Sequence, residues 1–299
     1  MIVCGRARRS CWRSEKGMPQ RVRSPCAVHS RRSKLPIFES KIDMNALPPN
    51  WSQTSSFCSR PIVILGPTTV GKTEVAFGLA RRMNAEIINA DKFYLYDAMH
   101  TVTGQSDADQ YPDVRHHLYG VLQPEHSLWS DSQYGTHLKA SLPGIRERGK
   151  NVVVEGCSNA FVRSATSALE SSARNSEDAP LLFGLRWKTP SAVAQDCQRR
   201  AKTMLALGML KDFEQAMNQG WGDTYLVRKC FARDPLMAYK RGLIAELQCE
   251  QRIAEMLERH ARRHYEMLAR ITNVKWLEHD RSSPDSTIDR ILTHVTYQQ

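Results

Sequence analysis

The eight cysteines of this 299-residue sequence include no CxxC pair and form no Cys/His set at metal-ligand spacing. Neither a zinc module nor a disulfide framework is therefore written into it. Cys4, Cys11, Cys26, Cys58, Cys157, Cys197, Cys230 and Cys249 read as reduced thiols of an intracellular protein. No apolar run is long enough for a signal peptide or a membrane-spanning helix, which argues against secretion and against a membrane partner. Acidic residues are scarce only at the start: residues 1–60 hold 12 Lys and Arg against 3 acids, leaving 30 against 28 for the rest. The net charge of +11 thus belongs to a leader, and the remainder is near neutral. A basic total that sits outside the fold is not the footprint of a nucleic-acid-binding domain.

Residues 1–59, with Arg6, Arg8, Arg9, Arg13, Arg21, Arg23, Arg31 and Arg32 among serines and cysteines, read either as an organelle transit peptide or as sequence upstream of a start at Met44. The corresponding localisation is cytoplasmic, or an organelle if the leader is a transit peptide. Residues 60–280 then form one domain, and 281–299 read as a loosely attached tail.

Within 60–280, short apolar runs alternate with helical patterns, the signature of a parallel sheet covered by helices. Strands are expected at Pro61–Leu65, Ala85–Asn89, Asn151–Glu155 and Leu181–Arg186. Helices are expected at Lys72–Met83, Ser130–Gly149 and Ala160–Leu169, with a loop at 170–179. The last third is helical, with apolar spacing over Ser191–Gln219, interrupted near Gly208, and again over Leu243–Ile271. The fold class is α/β: a P-loop NTPase-like parallel sheet flanked by helices, with a helical C-terminal third.

The chemistry starts at Gly66-Pro-Thr-Thr-Val-Gly-Lys-Thr73, which matches G-x-x-x-x-G-K-[ST] between an apolar strand and a helix. Backbone N–H groups at such a helix start cradle phosphate oxygens, Lys72 adds a positive charge, and the Thr73 hydroxyl can ligate Mg²⁺. Asp91, just past the second strand, lies where open α/β sheets bind ligands. There it can ligate Mg²⁺ through water, accept a proton from a nucleophile, or simply cap the segment after it. His116 and His117 lack ligand-spaced partners and suit packing or a substrate wall better than a metal. Tyr94, Leu95 and Tyr96 suit wall and core better than a nucleic-acid platform, because only Lys92 accompanies them.

GPTTVGKT, then Asn89-Ala-Asp-Lys-Phe-Tyr-Leu-Tyr96, Arg115-His-His-Leu118, Val154-Glu-Gly-Cys-Ser-Asn159 and Arg200-Ala-Lys-Thr-Met-Leu-Ala-Leu-Gly-Met-Leu210 follow one another in an order that resembles the isopentenyltransferase family. That family includes adenylate isopentenyltransferases, which make cytokinins, and tRNA dimethylallyltransferases. The resemblance implies a prenyltransferase that moves a dimethylallyl group from dimethylallyl diphosphate to N6 of adenine, with Mg²⁺. It implies Asp91 as general base, Lys72 and Ser158 as further catalytic residues, and Thr73 as the metal ligand. Gly66, Thr68, Thr69, Gly71, Lys72, Thr73, Arg186 and, as a weaker match, Tyr239 would bind the diphosphate. Cys157 departs from the family pattern, in which a second glycine is usual.

In the tRNA-acting members a sizeable helical insertion follows the motif occupied here by Glu155–Asn159. Here only about twenty residues separate Asn159 from the Leu181 strand, too few for an independent domain. The resemblance therefore leans to the adenylate branch, with AMP as the favoured acceptor and tRNA as the alternative. Two readings come from other classes. A P-loop small-molecule kinase would release ADP from ATP, and an RNA-binding module would show salt-dependent affinity without turnover.

Overall fold

In the computed structural model of the chain, residues 60–105 and 111–296 are described, and the expectations for the leader lie outside them. The chain runs β1 (Ile62–Leu65), α1 (Lys72–Arg82), β2 (Ala85–Asn89), α2 (His100–Thr103), β3 (His116–His117), α3 (Asp131–Glu147), β4 (Asn151–Gly156) and α4 (Asn159–Glu170). It continues through β5 (Leu181–Trp187), α5 (Pro190–Ala206), α6 (Met209–Asn218), α7 (Tyr225–Arg228), α8 (Arg233–Lys240), α9 (Glu246–Leu268), β6 (Val274–His279) and α10 (Pro284–Thr296). The six strands pair only in parallel, in the order β3-β2-β4-β1-β5-β6. This is the α/β architecture expected from the alternation of apolar runs and helices.

β1 lies between β4 and β5, with Ile62 opposite Val153 on one side and Leu181 on the other. Neighbouring strand side chains point to opposite faces. Val63 and Leu65 accordingly join a core cluster with residues of α3, α4, α5 and α9, while Ile62 and Ile64 join another with residues of α1 and α10. All four residues of β1 are fully buried, as a strand covered by helices on both faces requires. The helix expected from Ser130 starts there in a capping box, the Ser130 hydroxyl accepting from Gln133 N–H while the Gln133 side chain accepts from Ser130 N–H. Gly208, with φ of 94°, separates α5 from α6.

Besides the short helices α2, α7 and α8, three elements differ from what the sequence leads one to expect. β3 is two histidines long and has no apolar alternation; it forms because the outer edge of β2 needs partners, as in the Ile87 N–H bond to the Arg115 carbonyl. β6 extends the other edge along β5. The third is a correction: residues 284–296 are no loose tail. They form α10, whose Ile288, Ile291, Leu292 and Val295 are buried in the cluster containing α1. Their helical spacing pays the ordering cost by apolar burial, and Arg82 of α1 is paired with Asp285 and Asp289 of α10.

At the β2–β3 edge, buried Glu86 receives a two-pronged contact from Arg148, with both N···O distances 2.7 Å, and His117 Nε2 lies 2.6 Å from its Oε2. Burial alone would raise the carboxyl pKa; the hydrogen bonds from Arg148 and His117 outweigh it and bring it down to about 2. A carboxyl held below its unfolded value of 4.5 stabilises the fold fully above that pH, and the contribution fades as pH falls from 4.5 through about 2. Glu86→Gln should cost about 3 kcal/mol near neutral pH, the lower end for breaking a buried pair because Arg148 keeps a wet side. In urea melts of both proteins from pH 7 to pH 2, the gap should close across that acidic window; a gap constant with pH would show that the charge is not what matters.

Candidate active site

The loop Gly66–Thr73 leaves the C-terminal end of β1 and turns into α1. Gly71 caps α1 with φ of 99°, a left-handed conformation that costs a side-chain-bearing residue energy, and a Cβ there would sit 2.7 Å from His279 Nε2. Thr69 also adopts positive φ, 68°, its hydroxyl 3.6 Å from Cys197 Sγ and its carbonyl accepting from Arg281 at 3.2 Å. Lys72 Nζ donates to the Pro67 carbonyl at 2.9 Å, which holds the ammonium group over the loop. Thr68 is half-buried on the same loop.

β4 ends beside β1, with Glu155 opposite Ile64, and β2 ends beside β4, with Asn89 opposite Glu155. Gly156 allows this convergence: a Cβ there would lie 2.2 Å from the Ala90 carbonyl oxygen, so only a glycine lets the chain after β2 pass this close. The Ala90 N–H bond to the Glu155 carbonyl, 2.7 Å, closes the junction. Asn89 shapes the next turn, its Oδ1 accepting from Asp91 N–H and its Nδ2 donating to the Asp91 and Leu118 carbonyls.

Asp91 is buried, and both its oxygens have partners. Oδ1 accepts from Phe93 N–H at 2.9 Å, the capping role open to it from sequence, and Oδ2 faces Cys157 Sγ at 2.6 Å. Burial and then the Asp91 charge push the Cys157 thiol well up, so it stays protonated and donates. Ser158 Oγ accepts from Lys92 N–H at 3.0 Å, which places Ser158 beside the Asp91 turn. The structure thus gathers the loop, Asp91 and Ser158 at one sheet edge.

It does not gather all the expected residues there. Arg186, at the end of β5, is largely exposed and pairs with Glu278 on β6 at 3.3 Å. Tyr239 lies in α8, partly buried against the larger core cluster, with no hydrogen bond to the loop among the described contacts.

One residue at the centre had been left without a role. Glu155 is buried, with Thr73 Oγ1 3.4 Å from its Oε1 and the Tyr119 hydroxyl donating to it at 3.0 Å. Burial raises its pKa, against the lowering effects of Lys72 and the Tyr119 bond, and the nearby Asp91 and Glu74 raise it further. A carboxylate at the end of the strand adjoining the loop is readable from NVVVE followed by glycine. Tyr119 stacks against Tyr94, ring centroids 6.1 Å apart, and burial together with Glu155 and Asp91 pushes both phenols well up. Arg200 of α5 reaches the same wall, sharing the Gly104 carbonyl with the Tyr94 hydroxyl. His116 meets Tyr119 edge-on at 5.4 Å. Thr73 and Glu155 form a pair of hard oxygen donors of the kind Mg²⁺ takes alongside phosphate oxygens.

A loop of G-x-x-x-x-G-K-T sequence leaving one of the two central strands of a parallel sheet, with buried carboxylates on the adjoining strand ends, is the architecture of a P-loop α/β protein. Residues 94–180 match the family model described as IPP transferase. Relatives similar in sequence divide between two kinds. The chloroplastic adenylate isopentenyltransferase 8 of Arabidopsis thaliana is 31% identical over 45% of this chain and 40% of its own length. The tRNA dimethylallyltransferase of Bacillus velezensis is 35% identical over 35% of this chain and 33% of its own. These matches therefore span well under half of either relative. In solved structures the fold recurs in a tRNA isopentenylpyrophosphate transferase from Bacillus halodurans, with a TM-score of 0.67, 19% identity and coverage of 80% of this chain and 96% of that one. It recurs likewise in a tRNA delta(2)-isopentenylpyrophosphate transferase from Staphylococcus epidermidis, with a TM-score of 0.68, 17% identity and coverage of 79% and 99%.

The Gly156 junction generates a direct test. Gly156→Ala pushes a methyl group into the Ala90 carbonyl and should cost about 1–3 kcal/mol, as overpacking does. It should also shift the amide signals of Asp91 and Ser158 in an NMR spectrum; an unchanged melting temperature with unmoved signals would show that the two strand ends are not in contact.

Proposed function

We propose that this chain transfers a dimethylallyl group from dimethylallyl diphosphate to N6 of a free adenine nucleotide, AMP foremost, as in cytokinin synthesis. The exocyclic amine attacks C1 of the donor, the C1–O bond breaks, and diphosphate leaves while the amine proton passes to Asp91. The observation that carries this reading is that buried Asp91 and half-buried Ser158 lie at the edge where the P-loop opens. There a base and a diphosphate cradle can face the two ends of one reacting pair.

The Gly66–Thr73 loop, with Thr68, Thr69 and Lys72, would hold the diphosphate, and Arg186 would add a guanidinium by leaving Glu278. Tyr239 would have to reach the diphosphate from α8, and it is the weakest member of the set. Thr73 and Glu155 would hold Mg²⁺, which when bound offsets charge on the leaving diphosphate. Lys72 acts on the same charge from the loop. Asn89 holds the Asp91 backbone, Phe93 N–H and Cys157 fix its carboxyl, and the Tyr94–Tyr119 pair walls the pocket against water.

The acceptor assignment draws support from the link after β4: α4 ends at Glu170 and β5 begins at Leu181, with a single short turn at Ser176–Asp178 between them. A base inside an anticodon loop has to be unstacked and its flanks held, which takes surface beyond the catalytic pocket. The second reading, a tRNA acceptor, is favoured by the presence of tRNA dimethylallyltransferases among the relatives similar in sequence.

Mass analysis of products decides between them. With dimethylallyl diphosphate and Mg²⁺, the protein should add a dimethylallyl group to AMP or a related adenylate and leave unmodified tRNA untouched even at low salt. Prenylated tRNA with no prenylated mononucleotide would overturn the acceptor assignment alone. Asp91→Asn should lower turnover roughly 10²- to 10⁴-fold with little change in donor affinity. A collapse of donor binding in that variant would instead make Asp91 a residue of the metal site or the fold.

A further inference from the structure

The Asp91 carboxyl is held by two bonds of different origin. Its Oδ1 accepts from the Phe93 N–H at 2.9 Å, a backbone contact set by the turn itself. Its Oδ2 lies 2.6 Å from Cys157 Sγ, and among the described residues this is the one side chain that bonds the carboxyl. A carboxylate only accepts, so the thiol is the donor. Cys157 is 5% exposed and Asp91 8%, which leaves water little access to compete for the bond.

The terminal torsion of an aspartate is broad and roughly two-fold, and a single anchor lets the carboxyl plane swing about it. A second anchor on the other oxygen removes that freedom. Here the second anchor comes from a well-fixed stretch of chain. Cys157 follows Gly156, whose backbone is pressed against the Ala90 carbonyl, and Glu155, whose carbonyl accepts from the Ala90 N–H at 2.7 Å. On the other side of the thiol, Ser158 Oγ accepts from the Lys92 N–H at 3.0 Å, so the two segments are tied together both before and after Cys157. Asn89 meanwhile bonds the Asp91 N–H and carbonyl. Backbone, Oδ1 and Oδ2 are thus gripped separately, and the Oδ2 grip is the one that a substitution at 157 removes while the strand ends stay joined. A glycine at 157, usual in the pattern the sequence resembles, has no group to offer Oδ2.

We propose that Cys157 is a positioning residue for the transfer, its thiol holding Oδ2 so that the Asp91 carboxylate keeps the orientation in which it meets the acceptor amine. The assignment rests on the reading of Asp91 as the base. Each carboxylate oxygen has two acceptor sites, so a thiol on one leaves another for the incoming proton. A thiol is also a weak donor, which orients the carboxylate with less loss of basicity than a hydroxyl or an N–H.

Two measurements on the full chain test it. In the infrared spectrum the S–H stretch of Cys157, identified as the band lost in Cys157→Ala, should move to higher frequency in Asp91→Asn, where the acceptor loses its charge. A band that stays in place overturns the proposal whether or not the protein turns over. In kinetics with dimethylallyl diphosphate, Mg²⁺ and the acceptor, Cys157→Ala should lower kcat about tenfold to a hundredfold with KM for both substrates little changed, the scale expected of a misplaced reacting group. Cys157→Ser, whose hydroxyl donates to the same oxygen, should recover most of the loss. In the Asp91→Asn background the Cys157→Ala change should cost nothing further, since the thiol acts through the carboxylate. An unchanged kcat in Cys157→Ala overturns the proposal, and so does a loss that Ser fails to restore or that persists in full beside Asp91→Asn. Full turnover in Asp91→Asn alone overturns the underlying reading of the base, and the proposal with it, even where the infrared band shows the contact to be made.

Discussion

The close approach of the β4 end to the chain leaving β2 is the constraint on which the rest of the site depends. Gly156 has no side chain to meet the Ala90 carbonyl, and the Ala90 N–H bond to Glu155 closes the gap. Because of that contact, Asp91, Cys157 and Ser158 share one small volume although 66 residues separate Asp91 from Cys157. Parallel pairing of β4 with β1 then carries the same volume to the mouth of the P-loop. The sheet is thus a ruler: its register sets the distance between the Gly66–Thr73 loop and a buried acid.

That arrangement is expensive in isolation. Glu155, Asp91 and Glu74 crowd carboxylates beside one loop, and burial raises the Glu155 pKa. Lys72 and the Tyr119 hydroxyl offset part of the cost. Such a cluster has to be held in place by what packs around it. The packing elsewhere sustains it, above all the two apolar clusters on either face of β1.

The C-terminal segment ties into the same loop from behind. Arg281 donates to the Thr69 carbonyl and pairs with Glu74, while His279 packs against Gly71 and bonds the Thr287 hydroxyl of α10. β6 and α10 thus brace the P-loop, whose positive-φ residues would otherwise be free to relax. The sheet edge sets where the loop starts, and this brace limits how far it moves.

The strands β1, β2, β4 and β5, the long helices and the P-loop were legible in the amino-acid order because their signals are local: apolar runs, 3.6-residue spacing, and a glycine-lysine-threonine loop between strand and helix. Asp91 could be singled out because it lies just past a readable strand, whereas Ser158 was implied only by the family resemblance of the Val154–Asn159 motif. The sequence left Glu155 without a role, although NVVVE ends on it, since a carboxylate gains meaning there only when β4 is known to lie next to β1. β3 has no apolar pattern of its own and exists through an edge that needs partners, and α10 was missed although its isoleucine and leucine spacing was there to read. The Arg186–Glu278 pair and the Cys157–Asp91 contact were decided by tertiary structure alone. Each depends on which backbones pass within a few ångströms of one another, and strand order and helix packing set that where residue spacing along the chain does not.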